Sequence, residues 1–383
     1  MTILGGEGLW GFLALCGTEN LGRNSVPQMS SNRARVGLLG CGRVSTRYLE
    51  IFRDELADVA TVVAVADKVA EKRQRMAAAL DSEEATDIQS LLSAKPDVVC
   101  VLTESGSHAE NAIELLRSGV NVIIEKPIAL RIEDAERLGE EAAKRGLICA
   151  EIKQNRFNPA VRFLREAVDT DRFGRMVTAG VRVHWCREQS YYDDGWHGTW
   201  AMDGGVLSQQ AIHHIDALRW LGGPVEAVCA SGRAVLNSLE AEDTAVAVVK
   251  FESGAMGTIE ATTSARPRDF EASLHLVGEN ALAKIGGIAM NLVETWAPVT
   301  PKPGDESVIE RFSREVPTGY GLSHGPYVRD VLECLAEGRT EVAVGVEQAL
   351  ETLRFLHAIY ASIESDGWVR LADSPVSRRL GSA

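Results

Sequence analysis

The sequence has no apolar run long enough to cross a bilayer. Its first residues, Met1 to Cys16, carry Glu7 and lack the basic start of a secretory signal. It also has no dense stripe of Lys or Arg. With 40 basic and 54 acidic residues the formal net charge is -14, which repels a phosphate backbone or an anionic membrane surface. Neither nucleic acid nor a membrane is therefore expected as a partner. Paired cysteines are missing too. The seven present (Cys16, Cys41, Cys100, Cys149, Cys186, Cys229, Cys334) form no C-x-x-C pair and no metal-ligand spacing. No metal site is expected, and a reducing, cytoplasmic setting fits such a set.

What is present is an ordinary globular composition, 45% hydrophobic and 25% charged over 383 residues, which suits two domains. Residues 1–34 are expected to form a disordered N-terminal extension, with Met29 as a candidate start. From Arg35 short β-branched runs (Val36 to Leu39, Thr61 to Ala66, Asp97 to Leu102, Val120 to Ile124, Leu147 to Ala150) alternate with helical patterns (Val44 to Phe52, Ala70 to Leu80, Ser107 to Ser118, Ile132 to Arg145). The runs are almost wholly apolar, as burial on both faces requires. The expected fold class is thus α/β, with a parallel, doubly wound Rossmann sheet over 35–151.

The pattern changes over 152–383. A helix from Pro159 to Val168 precedes strands at Met176 to His184, Val225 to Arg233, Thr244 to Phe251, Ala255 to Thr262 and Glu271 to Val277, with few helices between. This implies a C-terminal α+β domain with a large, mostly antiparallel open sheet, and a last helix from Glu347 to Ile363. In TAVAVVKF, from Thr244, both alternating faces are largely apolar. One face is expected to cover helices and the other to meet a second subunit, giving a homodimer or homotetramer through that sheet.

Gly40-Cys41-Gly42-Arg43-Val44-Ser45 follows directly on the first strand and opens the first helix. Gly40 permits the tight turn, Gly42 lets the backbone approach a pyrophosphate, and the helix N-terminus meets its charge. A G-x-G-x-x-S string is weak alone; its strand-loop-helix setting, with βα units following, points to a dinucleotide. Asp67 ends the second strand, where a carboxylate can bond the adenosine ribose hydroxyls. It would disfavour a 2'-phosphate by about 1 to 4 kcal/mol. NAD is expected over NADP, although Lys68, Lys72 and Arg73 nearby leave room for a phosphate.

The strings NVIIEKP, TESGSHAENAIELLRSGV and GGVLSQQAIHHIDALRWLGG together resemble the glucose-fructose oxidoreductase, inositol dehydrogenase and MocA (Gfo/Idh/MocA) family, from Arg35 to about Leu371. The resemblance implies that Lys126 and His213 flank the nicotinamide and are catalytic. It also implies that Thr103, His108 and Glu125 lie beside the cofactor with Gly40, Gly42, Arg43, Val44 and Asp67. An imidazole with an ordinary pKa near 6.5 suits the base that takes a hydroxyl proton, while an amine near 10.4 is better suited to polarising the substrate oxygen. His214 is the rival of His213; the spacing His213-x-x-Asp216 matches the family's H-x-x-D. Many relatives carry Asp four residues before the His. This chain has Gln209, which cannot take up a proton and is assigned hydrogen bonding only.

KQNRFNPAV, WCREQSYYDDGWHGTW and GGVLSQQAIHHID look like one branch of that family, the nucleotide-sugar 3-dehydrogenases that oxidise UDP-N-acetylglucosaminuronic acid. That branch implies an anionic substrate held by Lys153, Asn155, Arg156, Arg187, Tyr192, Trp200, Gln209, His213 and His324. The cluster Trp185, Tyr191, Tyr192, Trp196, Trp200, Trp220 offers faces for stacking, with Trp220 the best suited to the core. Three alternatives stay open: a free-polyol dehydrogenase of the inositol or aldose type, a glycosidase or lyase that oxidises the sugar transiently, and a non-catalytic NAD-responsive binding protein.

Overall fold

The computed structural model describes residues 33–382. The extension expected over 1–34 therefore lies, but for Arg33 and Ala34, outside the described residues. Strands β1 (Ala34–Leu39), β2 (Ala60–Ala66), β3 (Glu83–Ala85), β4 (Val98–Val101), β5 (Asn121–Ile124) and β6 (Cys149–Glu151) form one sheet in the order β3-β2-β1-β4-β5-β6. All its pairings are parallel. β4 is buried along its whole length and β1 at every residue but Arg35, as a sheet with helices on both faces demands. Helices Ile88–Ser93, His108–Arg117 and Ile132–Arg145 bury Leu91, Ala112, Ile113, Leu116 and Leu138 on one side. Tyr48, Ile51, Phe52, Met76 and Ala77 cover the other.

A second layer on that face comes from far along the chain. Helix His324–Ala336 places Tyr327, Val328, Val331 and Leu332 in the same cluster as Val36, Leu38 and Cys100. The division expected at 151/152 is crossed by this return, which the local pattern at 324–336 does not reveal.

The remaining strands are β7 (Met176–His184), β8 (Val225–Arg233), β9 (Thr244–Phe251), β10 (Met256–Thr262), β11 (Glu271–Gly278), β12 (Ala281–Gly286), β13 (Leu292–Pro298) and β14 (Val369–Arg370). They form an eight-stranded sheet ordered β13-β12-β11-β7-β10-β9-β8-β14. Only β7 with β10 is parallel. On β9, Ala245, Ala247, Val249 and Phe251 are buried under helices, while Val246 and Val248 face outward. The helix-covering face expected of TAVAVVKF is thus present, and its other face is exposed. β3, β12, β13 and β14 are additional to the expected strands, and helix Ile212–Gly222 lies in the stretch where few helices are expected.

Candidate active site

A cleft of about 1110 Å³ opens at the carboxyl edge of the parallel sheet, its far wall supplied by the second half of the chain. The first turn is built by two glycines with different tasks. Gly40 has φ +104°, and a Cβ there would come within 2.6 Å of the Leu102 carbonyl oxygen, so only glycine fits. A Cβ on Gly42 would meet no atom within 4 Å, because that residue faces the open cleft. The Ser45 hydroxyl donates to the Gly42 carbonyl at 2.7 Å and closes the start of helix Ser45–Glu50. Val44 lines the cleft beside it. Arg43 lies over the ring of Tyr191, 4.3 Å from its centroid, and so joins the loop to the opposite wall.

Asp67, at the end of β2, accepts the Cys41 N–H and the Val69 N–H, both at 2.7 Å, and lines the cleft. Each carboxylate oxygen still has a lone pair for a ribose hydroxyl. The residues thus fit a dinucleotide. A second observation agrees: Gln154, Trp185, His213 and His324 line the cleft, and each carries a buried polar atom without a partner among the described residues.

Beyond the loop, His108 lies between two backbone carbonyls, those of Pro127 at 2.7 Å and Thr103 at 3.0 Å. It tethers the turn after β4 to the turn after β5, across a cis Lys126-Pro127 peptide. Glu125 is buried, accepting the Tyr48 hydroxyl at 2.9 Å, with Nε2 of His324 4.0 Å away. Burial raises its pKa. His324 packs near Tyr48 and Tyr320, and burial lowers its pKa to about 3.

Lys126 donates to the backbone oxygen of Gln209 at 2.6 Å and to its side-chain oxygen. An ammonium has three donors, so one remains for the cleft. Burial lowers its pKa, opposed by Glu125 and Asp203. His213 lies in helix Ile212–Gly222, a buried segment behind the Gly204-Gly205 turn. Burial, and next the charge of Lys126, hold its pKa well below the ordinary value, so the ring is neutral at neutral pH. Nε2 of His213 lies 3.2 Å from Nε2 of Gln154.

Several residues expected at the substrate do not line the cleft. Arg156 makes a buried bidentate pair with Asp216, at 2.8 and 2.7 Å, and lies under Trp220. The Asp of the H-x-x-D spacing therefore anchors a helix rather than His213. Lys153 is buried 3.0 Å from Glu151. Asn155 is turned away: in the single 3-10 turn Gln154–Phe157 only Gln154 faces His213. Tyr192 is buried with its hydroxyl 2.7 Å from that of Thr263, and Trp200 packs edge-on against Tyr360. In their place Gln154, Trp185, Tyr191, Trp196, His197 and Gln210 line the wall. Arg187 does reach the cleft, held by Asp269 at 2.9 Å, its guanidinium 5.3 Å from the Trp185 ring centroid. Sequence strings located the right segments; which side chain of each points inward depends on turn phase, which a string does not carry.

Residues 34–152 match the model of the oxidoreductase family with NAD-binding Rossmann fold, and residues 161–284 the GFO/IDH/MocA C-terminal domain. The chain is similar to the WlbA dehydrogenase of Bordetella pertussis, solved with NADH and UDP-GlcNAcA (34% identity, TM-score 0.85, covering 89% of this chain and 99% of that one). It is similar to the WlbA dehydrogenase of Chromobacterium violaceum, solved with the same two ligands (31% identity, TM-score 0.84, 91% and 98%). It is 27% identical over 280 residues to myo-inositol 2-dehydrogenase of Thermotoga maritima, spanning 71% of this chain and 79% of that protein. The chain belongs to the Gfo/Idh/MocA family of oxidoreductases and is an NAD-dependent dehydrogenase.

Proposed function

We propose that the chain oxidises a secondary hydroxyl of a nucleotide sugar to a ketone, at C3 of a UDP-N-acetylhexosaminuronate-like substrate. The observation that carries this reading is that Lys126 and the uncharged His213 line one cleft at the carboxyl edge of the NAD-binding sheet, with Arg187 across it. Bound NAD supplies the two-electron acceptor for the carbinol hydrogen. His213 takes the hydroxyl proton, its low pKa keeping it free to do so at neutral pH. Lys126 turns its remaining N–H on the substrate oxygen, and Gln209 holds the amine in place. Arg187, stacked on Trp185, offers a fork to a carboxylate or phosphate. Likeness to the two WlbA dehydrogenases supports this substrate class.

A panel of UDP-GlcNAcA, UDP-GlcNAc, inositols and aldoses with NAD, followed at the reduced-nicotinamide absorbance, tests the reading. Turnover of UDP-GlcNAcA to a 3-keto product is expected. Turnover of free polyols alone sinks it and favours the second reading, an inositol-type dehydrogenase, which similarity to the Thermotoga maritima enzyme supports. The outward face bearing Val246, Val248 and Met256 is proposed as the subunit contact, and sedimentation as a monomer at working concentration would overturn that.

A further inference from the structure

Asp203 lies behind the cleft wall, 1% exposed, in the turn that leads from Trp200 to the Gly204-Gly205 pair. Its two oxygens face two N–H donors. Oδ2 accepts the backbone N–H of Gly198 at 2.9 Å, and Oδ1 accepts Nε2 of Gln209 at 2.6 Å. Gln209 in turn presents its side-chain oxygen to Nζ of Lys126. A carboxamide can face either way round, and the wrong way would put an NH2 against the ammonium. Asp203 fixes the direction from the other side of the amide, because a carboxylate only accepts as the ammonium only donates.

We propose that Asp203 is a positioning residue for Lys126, fixing the Gln209 carboxamide so that its oxygen stays on the ammonium. This sets where the amine stands and how firmly it holds its proton. The inference rests on the reading of Lys126 as the group that meets the substrate oxygen. The charged groups facing Asp203 are Lys126 from the turn after β5, Asp194 from the loop after β7 and Glu242 from the loop before β9. The phenols of Tyr191, Tyr192 and Tyr360 complete its surroundings. Burial pushes its carboxyl upward, against the pull of the Gly198 N–H and of Lys126; both oxygens face N–H donors, which is the arrangement of the ionised form. A protonated carboxyl must turn its hydroxyl on one of two N–H donors, so protonation releases the same amide that ionisation fixes.

Asp203→Asn is isosteric and cannot satisfy both donors: either Gly198 loses its acceptor or Gln209 turns. Adding Gln209→Glu restores every bond, since the new amide keeps its oxygen on Gly198 and gives its NH2 to the new carboxylate, whose other oxygen meets Lys126. The test uses the full chain and the two variants, Asp203→Asn and the double. The rate of Lys126 acylation by an amine reagent is read by peptide mass spectrometry across pH, beside kcat and KM. Asp203→Asn is expected to lower the Lys126 midpoint by about one unit, giving about tenfold faster labelling below it. Its kcat is expected to fall about tenfold with the KM for NAD within about twofold. The double variant is expected to protect Lys126 at least as well as the parent and to recover most of kcat. An unchanged labelling profile in Asp203→Asn, or a double variant no better than it, overturns the proposal. Should Asp203→Asn fail to fold, a folded double variant that labels faster than the parent overturns it instead. A parent that oxidises no sugar sinks the reading of the site and leaves the labelling test standing.

Discussion

Gln154 and His213 meet through their Nε2 atoms at 3.2 Å, while Oε1 of Gln154 and Nδ1 of His213 have no partner among the described residues. The carboxamide therefore serves the imidazole in both protonation states: it donates to a neutral Nε2, and after a half-turn accepts from a protonated one. Such a neighbour suits the base proposed at His213, which cycles between the two. Gln154→Ala is expected to lower kcat about tenfold, and His213→Ala about 10²- to 10⁴-fold, with NAD affinity held. Gln154→Glu places a negative charge beside the ring, raises the His213 pKa and moves the acid limb of kcat/KM to higher pH. A pH profile that does not move would remove Gln154 from the base.

His214 is set apart from its neighbour by packing. Its ring lies edge-on to Trp185, centroids 5.6 Å apart, and burial lowers its pKa to about 3. His214→Phe is expected to leave kcat within about threefold. The sign of its pH effect follows from the folded pKa lying below the unfolded value near 6.5: this histidine's contribution is complete above 6.5 and is lost progressively as the pH falls from 6.5 to about 3, the loss at pH 5 being about 2 kcal/mol. Chemical denaturation at pH 7.5 and pH 5 checks this, and the variant should lose less stability on acidification than the parent.

The two loop glycines separate folding from binding. Gly40→Ala forces a Cβ against the Leu102 carbonyl at positive φ and is expected to destabilise the chain by about 1–3 kcal/mol or more. Gly42→Ala meets no protein atom, so the thermal midpoint should stay while NAD affinity falls at least about tenfold. Calorimetry of both variants with and without NAD distinguishes the two. Equal losses of midpoint would mean that Gly42 also serves the fold.

Much of this was legible in the chain. The apolar runs of β1, β2, β4 and β5 and the glycine turn state the Rossmann sheet, because burial on both faces and a positive φ leave direct marks on residue type. The helix His324–Ala336 left none of its destination: its apolar stripe says that it packs, not that it packs under β1. At the site, resemblance points to Lys126 and His213, and both line the cleft. Arg156 was misplaced because a buried cation and a ligand-binding one are the same letter, and only the distance to Asp216 tells them apart. Gln154 was passed over for its charged neighbours, although a one-turn helix gives the cleft a single residue.

Asp67 carries the last prediction, because its two oxygens serve the fold and the cofactor together. Asp67→Asn replaces one acceptor by an NH2 that must face the N–H of Cys41 or of Val69, so one of the two turns loosens. A stability loss of about 1–3 kcal/mol and a fall in NAD affinity of about tenfold are expected. Preference for NADP should not follow. Arg73 already donates to the Asp67 carbonyl at 2.9 Å and pairs with Glu84 at 3.2 Å, which leaves Lys68 and Lys72 as the cations lining that end of the cleft. In the parent, like charge between Asp67 and a 2'-phosphate should make kcat/KM with NAD exceed that with NADP by at least about fivefold, the low end of an electrostatic cost of about 1 kcal/mol. Saturation kinetics with both dinucleotides decide it. Equal kcat/KM values would mean that Lys68 and Lys72 outweigh the carboxylate, and Asp67 would then be a turn residue that happens to face the cofactor.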